Sequence, residues 1–217
     1  MGWLPGAAST YAADLDRIFY VILAVTGLVF IGVEATLIYF LWKYRGREGR
    51  KAAYIEGSNK AEIIWTVTPA VFIVGLAVAS QSVWSKIKSP ANFPTDAIEY
   101  RVEARQYAWG ITYAGADGVL GTEDDFTRFN EMHVPVGQPV SFELTSADVI
   151  HSFFVPAFRI KQDAVPGLIM RVWFEATEVG EFALACAELC GVAHFNMGGK
   201  VIVHPQDEFE RWVAEQS

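Results

Sequence analysis

Charged residues are scarce in this chain of 217 residues, of which they make up only 19%. Soluble globular domains carry about 25% charged residues, so a simple soluble domain does not fit this composition. Cysteine is scarcer still, and its two residues exclude a scaffold held together by several disulfides. The net charge of −8 disfavours nucleic acid as a partner, because such proteins present basic surfaces.

Hydrophobic residues, in contrast, make up 52% of the chain and concentrate in two long runs. The run over residues 18–42 contains Glu34 as its only charged residue, and the run over 63–83 contains none. Each run exceeds the roughly 20 residues that a helix needs to cross a bilayer. Buried core helices are the alternative, although a small protein has little room to bury two. Glu34 is a candidate functional residue because an ionisable side chain inside a membrane-spanning run is costly, but no role is assigned to it.

The segment between the two runs is basic, and this sets the expected orientation. Its basic residues are Lys43, Arg45, Arg47, Arg50, Lys51 and Lys60. Loops of this kind stay on the cytoplasmic side, which places both termini on the outer side. Residues 91–217 hold 8 basic and 19 acidic residues, whereas residues 1–90 carry a net charge of +3. We therefore predict a transmembrane hairpin within residues 1–90 and an outer domain over residues 91–217.

The outer domain has the pattern of an all-β fold. Apolar and charged residues alternate strictly over residues 98–105, and similar alternation recurs over 140–144, 172–174 and 182–184. Turn-forming residues separate these segments, which is typical of a β-sandwich or barrel. A short C-terminal helix is predicted over residues 206–216.

Five potential metal ligands come from two segments of this domain. The segment from Cys186 to Met197 has the spacing C-x3-C-x3-H-x2-M, and His151 lies 35 residues before Cys186. Thiolates, imidazoles and a thioether form a soft set that suits copper, since methionine is a common weak ligand of copper. Two thiolates can bridge two copper ions, each of which takes one imidazole. A disulfide between Cys186 and Cys190 and a Cys2His2 zinc site are the alternatives.

With these residues, the chain resembles subunit II of the heme–copper cytochrome c oxidases. The resemblance covers nearly the whole chain after about Asp14. It rests on the ligand segment and on residues 148–152 (DVIHS), 161–167 (KQDAVPG) and 62–69 (EIIWTVTP). It implies a two-helix membrane hairpin followed by an outer cupredoxin domain, a Greek-key β-sandwich that carries a dinuclear copper centre called CuA.

The resemblance also implies a set of metal-binding residues. They are His151, Cys186, Glu188, Cys190, His194 and Met197. The two cysteines would bridge both coppers, and each histidine would bind one copper. Met197 would be a weak ligand of one copper and the backbone carbonyl of Glu188 a weak ligand of the other. The carboxylate of Glu188 would bind a magnesium ion shared with subunit I, as suits a hard cation.

Other residues take roles in proton and electron transfer by the same resemblance. Glu62 would be the carboxylate at which protons reach a path of subunit I, although residues 59–62 also fit a helix capping box. Tyr107 stands where an exposed tryptophan usually accepts the electron from cytochrome c, and Trp109 matches a later aromatic residue. Whether either of them accepts the electron stays open.

Acidic residues are expected to form the docking surface for cytochrome c. Asp148 and Asp163 are the candidates, with help from the acidic loop over residues 115–126. We interpret that loop as an exposed hairpin in preference to a calcium site. His133 and His204 have no ligand-like neighbours in the sequence, and we interpret them as structural.

The implied function is that of subunit II of a proton-pumping cytochrome c oxidase. Cytochrome c would reduce CuA, and the electrons would pass to the hemes of subunit I, where oxygen becomes water. Subunits I and III and membrane lipid are the implied partners, in a bacterial inner or cell membrane. The alternatives are a quinol oxidase, which lacks the copper ligands, the corresponding subunit of a nitric oxide reductase, and a membrane-anchored copper carrier.

Overall fold

The structure is a computed structural model that describes residues 3–216. Two long helices precede a domain of strands, and a short helix ends it. The helices are α1 (Ala12–Lys43), α2 (Asn59–Lys88) and α3 (Gln206–Ala214). The strands are β1 (Ile98–Arg105), β2 (Ala108–Tyr113), β3 (Phe126–Phe129), β4 (Glu131–Pro135), β5 (Pro139–Ser146), β6 (His151–Val155), β7 (Ile160–Ala164), β8 (Met170–Glu175), β9 (Gly180–Cys186) and β10 (Gly198–His204).

Helices α1 and α2 are both long and apolar enough to cross a membrane. They have 32 and 30 residues, and none of the side chains in their most apolar stretches is buried within the chain. Both extend beyond the predicted runs, because polar residues at each end continue the helix. Ser58 precedes α2, and its hydroxyl accepts a hydrogen bond from the backbone N–H of Ala61 at 3.4 Å. The residue that caps α2 is therefore Ser58, one position before the predicted capping box.

The strands form two five-stranded sheets, and this confirms the predicted sandwich. One sheet has the order β3-β2-β1-β5-β8, and the other has the order β4-β10-β9-β6-β7. Most neighbours are antiparallel, but β1 pairs with β5 in parallel and β4 pairs with β10 in parallel. These parallel pairs join strands distant in sequence, as expected of a Greek-key arrangement.

Alternation along the strands places a large aromatic core between the sheets. In β5 every second side chain is buried, as the sequence pattern predicts. The largest fully buried side chains include Tyr100, Trp109, Tyr113, Phe153, Phe158 and Phe174. Such a core buries enough apolar surface to keep the ends of the strands in fixed positions.

Two compact units divide the described chain, and the boundary differs from the predicted one. Residues 16–85 form the helical unit. The other unit, here called the β-domain, contains residues 86–216 and also residues 3–15. Residues before α1 join it because Ala8 exchanges backbone hydrogen bonds with Ala157 and Thr177 at 2.9 and 3.1 Å. The hydroxyl of Tyr11 also donates to the carbonyl of Trp173 at 3.1 Å.

Helix α3 covers a pair of histidines in the β-domain. His133 Nδ1 lies 2.8 Å from His204 Nε2, so one N–H joins the two rings. The Trp212 ring of α3 stacks on His133, with centroids 3.9 Å apart and an angle of 7°. These histidines, which have no ligand-like neighbours in the sequence, are thus partners of each other.

Candidate metal centre

The predicted ligands meet at one end of the β-domain, where strands from a single sheet terminate. His151 is the first residue of β6, and Cys186 is the last residue of β9. These strands pair with Phe153 opposite Cys186, so the sheet itself fixes the two ligands near each other. Met197 stands directly before β10, and its carbonyl accepts a hydrogen bond from the N–H of Cys186 at 3.0 Å.

The donor atoms of His151, His194 and Met197 lie around the sulfur atoms of the two cysteines. Cys186 Sγ lies 3.9 Å from Cys190 Sγ and 4.0 Å from His151 Nδ1. Cys190 Sγ lies 3.5 Å from His194 Nδ1 and 3.7 Å from Met197 Sδ. His151 Nδ1 and Met197 Sδ are 3.1 Å apart. Each imidazole therefore faces a different cysteine sulfur.

These distances exclude a disulfide in the structure, which is one of the alternatives that the sequence leaves open. Both cysteines are free thiols in the structure, and their 3.9 Å separation is far from the roughly 2.05 Å of a disulfide bond. A metal–thiolate bond is about 2.3 Å, so one ion can contact two sulfurs that are less than about 4.6 Å apart. The thioether beside His151 favours copper over zinc.

A backbone oxygen completes the set on the side away from Met197. The carbonyl oxygen of Glu188 lies 3.2 Å from Cys186 Sγ. The chain therefore offers two sulfur atoms, two imidazoles and two weaker donors, a thioether and a carbonyl. This set fits a pair of copper ions that share both sulfurs, each with one imidazole and one weak ligand.

The thiol of Cys190 ionises less readily than that of an ordinary cysteine. Burial raises the pKa of Cys190 to about 11, and the neighbouring Cys186 adds to this increase. Two adjacent thiolates would otherwise repel each other, so bound metal is what stabilises their charged form. We therefore interpret the paired cysteines as metal ligands and not as reactive surface thiols.

Asp148 forms hydrogen bonds with the ligand His151 and with the backbone of Gln106. Its Oδ1 lies 2.8 Å from Nε2 of His151, which has no exposed surface, and its Oδ2 accepts the backbone N–H of Gln106 at 2.7 Å. Desolvation opposes its ionisation, but the hydrogen bonds from His151, Gln106 and Val149 lower the pKa of this carboxyl. The carboxylate therefore orients the imidazole, a common arrangement for metal-binding histidines. The Asp-x-x-His spacing is the sequence signal for this role.

Asp163, the second docking candidate, is also engaged with neighbouring side chains. Its Oδ1 accepts hydrogen bonds from the Ser152 hydroxyl at 2.7 Å and from Lys161 at 3.0 Å. These two hydrogen bonds lower the pKa of Asp163. Its charge is consequently partly neutralised by Lys161.

The two aromatic candidates for electron transfer have different positions. Trp109 has no exposed surface, and its ring meets that of His151 edge-on with centroids 6.2 Å apart. A docked protein cannot touch it. Tyr107 is only partly buried, and its hydroxyl lies beside Gly191, where an added Cβ would be 2.5 Å away. Of these two candidates, Tyr107 is therefore the one that a partner could reach.

The ligand loop, defined here as residues 187–196, carries three exposed apolar side chains. Leu189, Val192 and Phe195 are 78%, 93% and 88% exposed. The sequence interpretation, which considered only acidic residues for docking, overlooked them. Clustered exposed apolar groups are typical of a surface that a partner covers. The side chain of Glu188 is also exposed on this loop.

The remaining candidates lie in other elements of the chain. Glu62 is exposed in the first turn of α2, and Glu34 lies half-buried in α1. In the acidic loop, Asp124 and Asp125 accept backbone N–H groups of Asp117 and Gly121 at 3.2 and 2.7 Å. Their carboxylates thus stabilise the turns of the loop itself.

Comparison with known proteins gives matches along most of the chain. The model of the periplasmic domain of cytochrome c oxidase subunit II matches residues 120–204, and the model of its transmembrane domain matches residues 1–83. An alternative cytochrome c oxidase subunit 2 of Bradyrhizobium diazoefficiens is 32% identical over 99% of this chain and 83% of the relative. A cytochrome c oxidase subunit 2 of Thermostichus vulcanus is 31% identical over 97% of this chain and 77% of the relative.

A solved structure matches the β-domain. It is the periplasmic domain of subunit II of cytochrome oxidase (CoxB) of Bradyrhizobium japonicum, with 31% identity and a TM-score of 0.51. The match covers 57% of this chain and 95% of the solved domain.

Proposed function

Because the chain belongs to the cytochrome c oxidase subunit II family, we propose that its five converging side chains hold the dinuclear copper centre of that subunit. The chain serves a heme–copper oxidase, an oxidoreductase complex, and its β-domain is a copper-binding domain of the CuA type. The observation that carries the assignment of ligands is the 3.9 Å pair of sulfurs with one imidazole on each cysteine.

Each ligand has a distinct task in this arrangement. Cys186 and Cys190 would hold both ions, with His151 and Met197 as further ligands of one ion and His194 and the carbonyl of Glu188 as further ligands of the other. Such a copper pair would supply a one-electron acceptor and donor. The residues keep its ligands in place because the strands that carry them are fixed by the core.

Paramagnetic resonance of the copper-loaded protein tests this assignment. A single electron shared over two equivalent copper nuclei gives a seven-line pattern, and metal analysis should find two coppers per chain. Cys186→Ser or Cys190→Ser should abolish the shared spectrum, while Met170→Leu, which changes a methionine of β8 outside the ligand set, should leave it intact. A four-line wild-type spectrum, or two coppers retained in either serine variant, would refute the assignment.

We propose cytochrome c as the electron donor and Tyr107 as the residue nearest to it. The exposed side chain of Val192 follows Gly191, against which the Tyr107 hydroxyl packs. A partner that covers Val192 would therefore also contact Tyr107. The net charge of −11 over residues 91–217 attracts a basic protein at long range, with Asp148 and Asp163 among its sources.

The carboxylate of Glu188 is proposed to bind magnesium at the border with subunit I. Its backbone carbonyl faces Cys186, while its side chain is exposed and can reach a neighbouring subunit. Carboxylate oxygen is a suitable ligand for this hard cation. One residue would thus contact both the copper pair and the magnesium ion.

The helical unit is proposed to cross the membrane twice, with subunit I and subunit III beside it. The basic segment between α1 and α2 then lies in the cytoplasm, and the β-domain lies in the periplasm. Glu62 falls at the cytoplasmic end of α2, where it is exposed and can accept a proton. We propose that it delivers protons to subunit I, where oxygen is reduced and protons are pumped.

A further inference from the structure

The turn between β1 and β2 lies between the two segments that carry the copper ligands. Gln106 Nε2 donates a hydrogen bond to the carbonyl oxygen of Cys190 at 2.5 Å. The backbone N–H of the same residue donates to Asp148 Oδ2 at 2.7 Å. Asp148 Oδ1 in turn lies 2.8 Å from His151 Nε2. A single residue therefore connects a bridging cysteine with an imidazole ligand from a different loop.

The ligand loop also packs directly on this turn. A Cβ added to Gly191 would lie 2.5 Å from the Tyr107 hydroxyl and 2.7 Å from Gln106 Nε2. An added Cβ would have to displace the ends of these two side chains, and the φ of +138° at Gly191 also favours glycine. The amide of Gln106 thus lies close to the backbone of Gly191 where it donates to the carbonyl of Cys190.

Two other hydrogen bonds hold the two ends of the ligand loop, whereas Gln106 holds the loop at Cys190. The N–H of Ala187 donates to the carbonyl of Ser152, and the N–H of Cys186 donates to that of Met197, both at 3.0 Å. These bonds fix the first cysteine and the methionine. Cys190 lies four residues further along, and its carbonyl is held from outside the loop by Gln106.

We propose that Gln106 is a positioning residue of the copper centre, which fixes the backbone of Cys190 and the carboxylate of Asp148 at the same time. The bridging thiolate and His151 thereby keep one mutual geometry through changes in the charge of the metal pair. This inference rests on the proposed function. Hydrogen-bonding groups behind metal ligands typically change metal affinity by about 10- to 100-fold when they are removed.

The test compares Gln106→Met and Gln106→Glu with wild type in the assembled oxidase. Methionine matches the length of glutamine but cannot donate, and glutamate presents an acceptor to the carbonyl of Cys190. We expect both variants to bind two coppers and to lose them to a chelator about 10- to 100-fold faster. We also expect a shifted reduction potential and altered copper hyperfine splitting, larger for glutamate. Gln138→Met is the matched control, since Gln138 contacts Gln206 and not the ligand loop.

The outcomes separate this inference from the proposed function. If the Gln106→Met protein has the potential and hyperfine spectrum of wild type, the positioning role is wrong, even where its thermal stability has fallen. If wild type itself binds fewer than two coppers, the proposed function fails independently of Gln106. Changes in both variants, with a wild-type spectrum in Gln138→Met, support the inference.

Discussion

The hydrogen-bonded histidine pair beneath α3 predicts that the β-domain loses stability as the pH falls. Burial lowers the pKa of His133 from 6.5 to about 4, with further contributions from His204 and Arg128. Burial also lowers the pKa of His204, although Glu208 opposes this change. Only one proton fits between ring nitrogens 2.8 Å apart, so protonating both rings would place two N–H groups face to face.

The sign and size of the effect follow from these pKa values. A histidine whose pKa is lowered in the folded state binds its proton more readily when unfolded. Its contribution to stability is therefore complete above pH 6.5 and is lost as the pH falls towards 4. The full difference corresponds to at most about 3 kcal/mol. A proton shared between the two rings offsets part of it, so we expect a loss of about 1–3 kcal/mol.

His133→Phe is the appropriate perturbation, because it removes the titrating group but keeps a flat ring under Trp212. The assay is denaturant unfolding of the copper-free full chain in detergent, at pH 7.5 and at pH 4.5. Apart from His204, which loses its partner in the variant, the other titrating groups are common to both proteins, so their contributions cancel in the difference between variant and wild type. The variant should lose about 1–3 kcal/mol less than wild type between the two pH values.

Glu131→Gln serves as the control for this experiment. Glu131 Oε2 lies 3.9 Å from His133 Nε2, on the side of the ring away from His204. Because the control keeps the histidine pair, it should retain most of the wild-type pH dependence. An equal loss of stability in wild type and His133→Phe would show that the pair does not titrate as the structure implies.

Three further predictions concern the proposed function. Val192→Lys should raise the KM for cytochrome c several-fold while the two-copper spectrum stays unchanged, because it places a positive charge in an exposed apolar contact that faces a basic partner; an unchanged KM in steady-state assays would exclude Val192 from the docking surface. Glu188→Gln should release magnesium from the assembled oxidase but keep both coppers, since the backbone carbonyl remains, and metal analysis against Glu178→Gln would show a contradiction if magnesium stayed bound. Glu62→Gln should slow proton uptake and oxygen consumption without altering the copper spectrum, and turnover equal to that of a Glu56→Gln control would count against the proton role.

The sequence predicted those parts of the fold that depend on local periodicity. The alternation over residues 98–105 became β1 with every second residue facing the core, and the two apolar runs became α1 and α2. The proximity of Cys186, Cys190, His194 and Met197 was also predictable, because they lie within twelve residues of one another. Such patterns carry their information within a dozen residues, where neighbours in sequence are neighbours in space.

Contacts between distant segments were not predictable in this way. His133 contacts His204 only because β4 and β10 are adjacent and parallel, and the sequence of neither strand predicts that pairing. The hydrogen bonds of Ala8 with Ala157 and Thr177 likewise join residues that are far apart in the chain. Such contacts appear only after the sandwich has formed.

The proposed copper centre combines a rigid half with a half that depends on hydrogen bonds from other segments. His151 and Cys186 lie at paired ends of β6 and β9, so the sheet holds them in place. Cys190 and His194 lie on a loop whose side chains largely face solvent. Holding that loop requires hydrogen bonds from outside it, and Gln106 supplies one at Cys190 itself. Ligands that are fixed from both sides would move little when a bound copper pair gained or lost one electron, as rapid electron transfer requires.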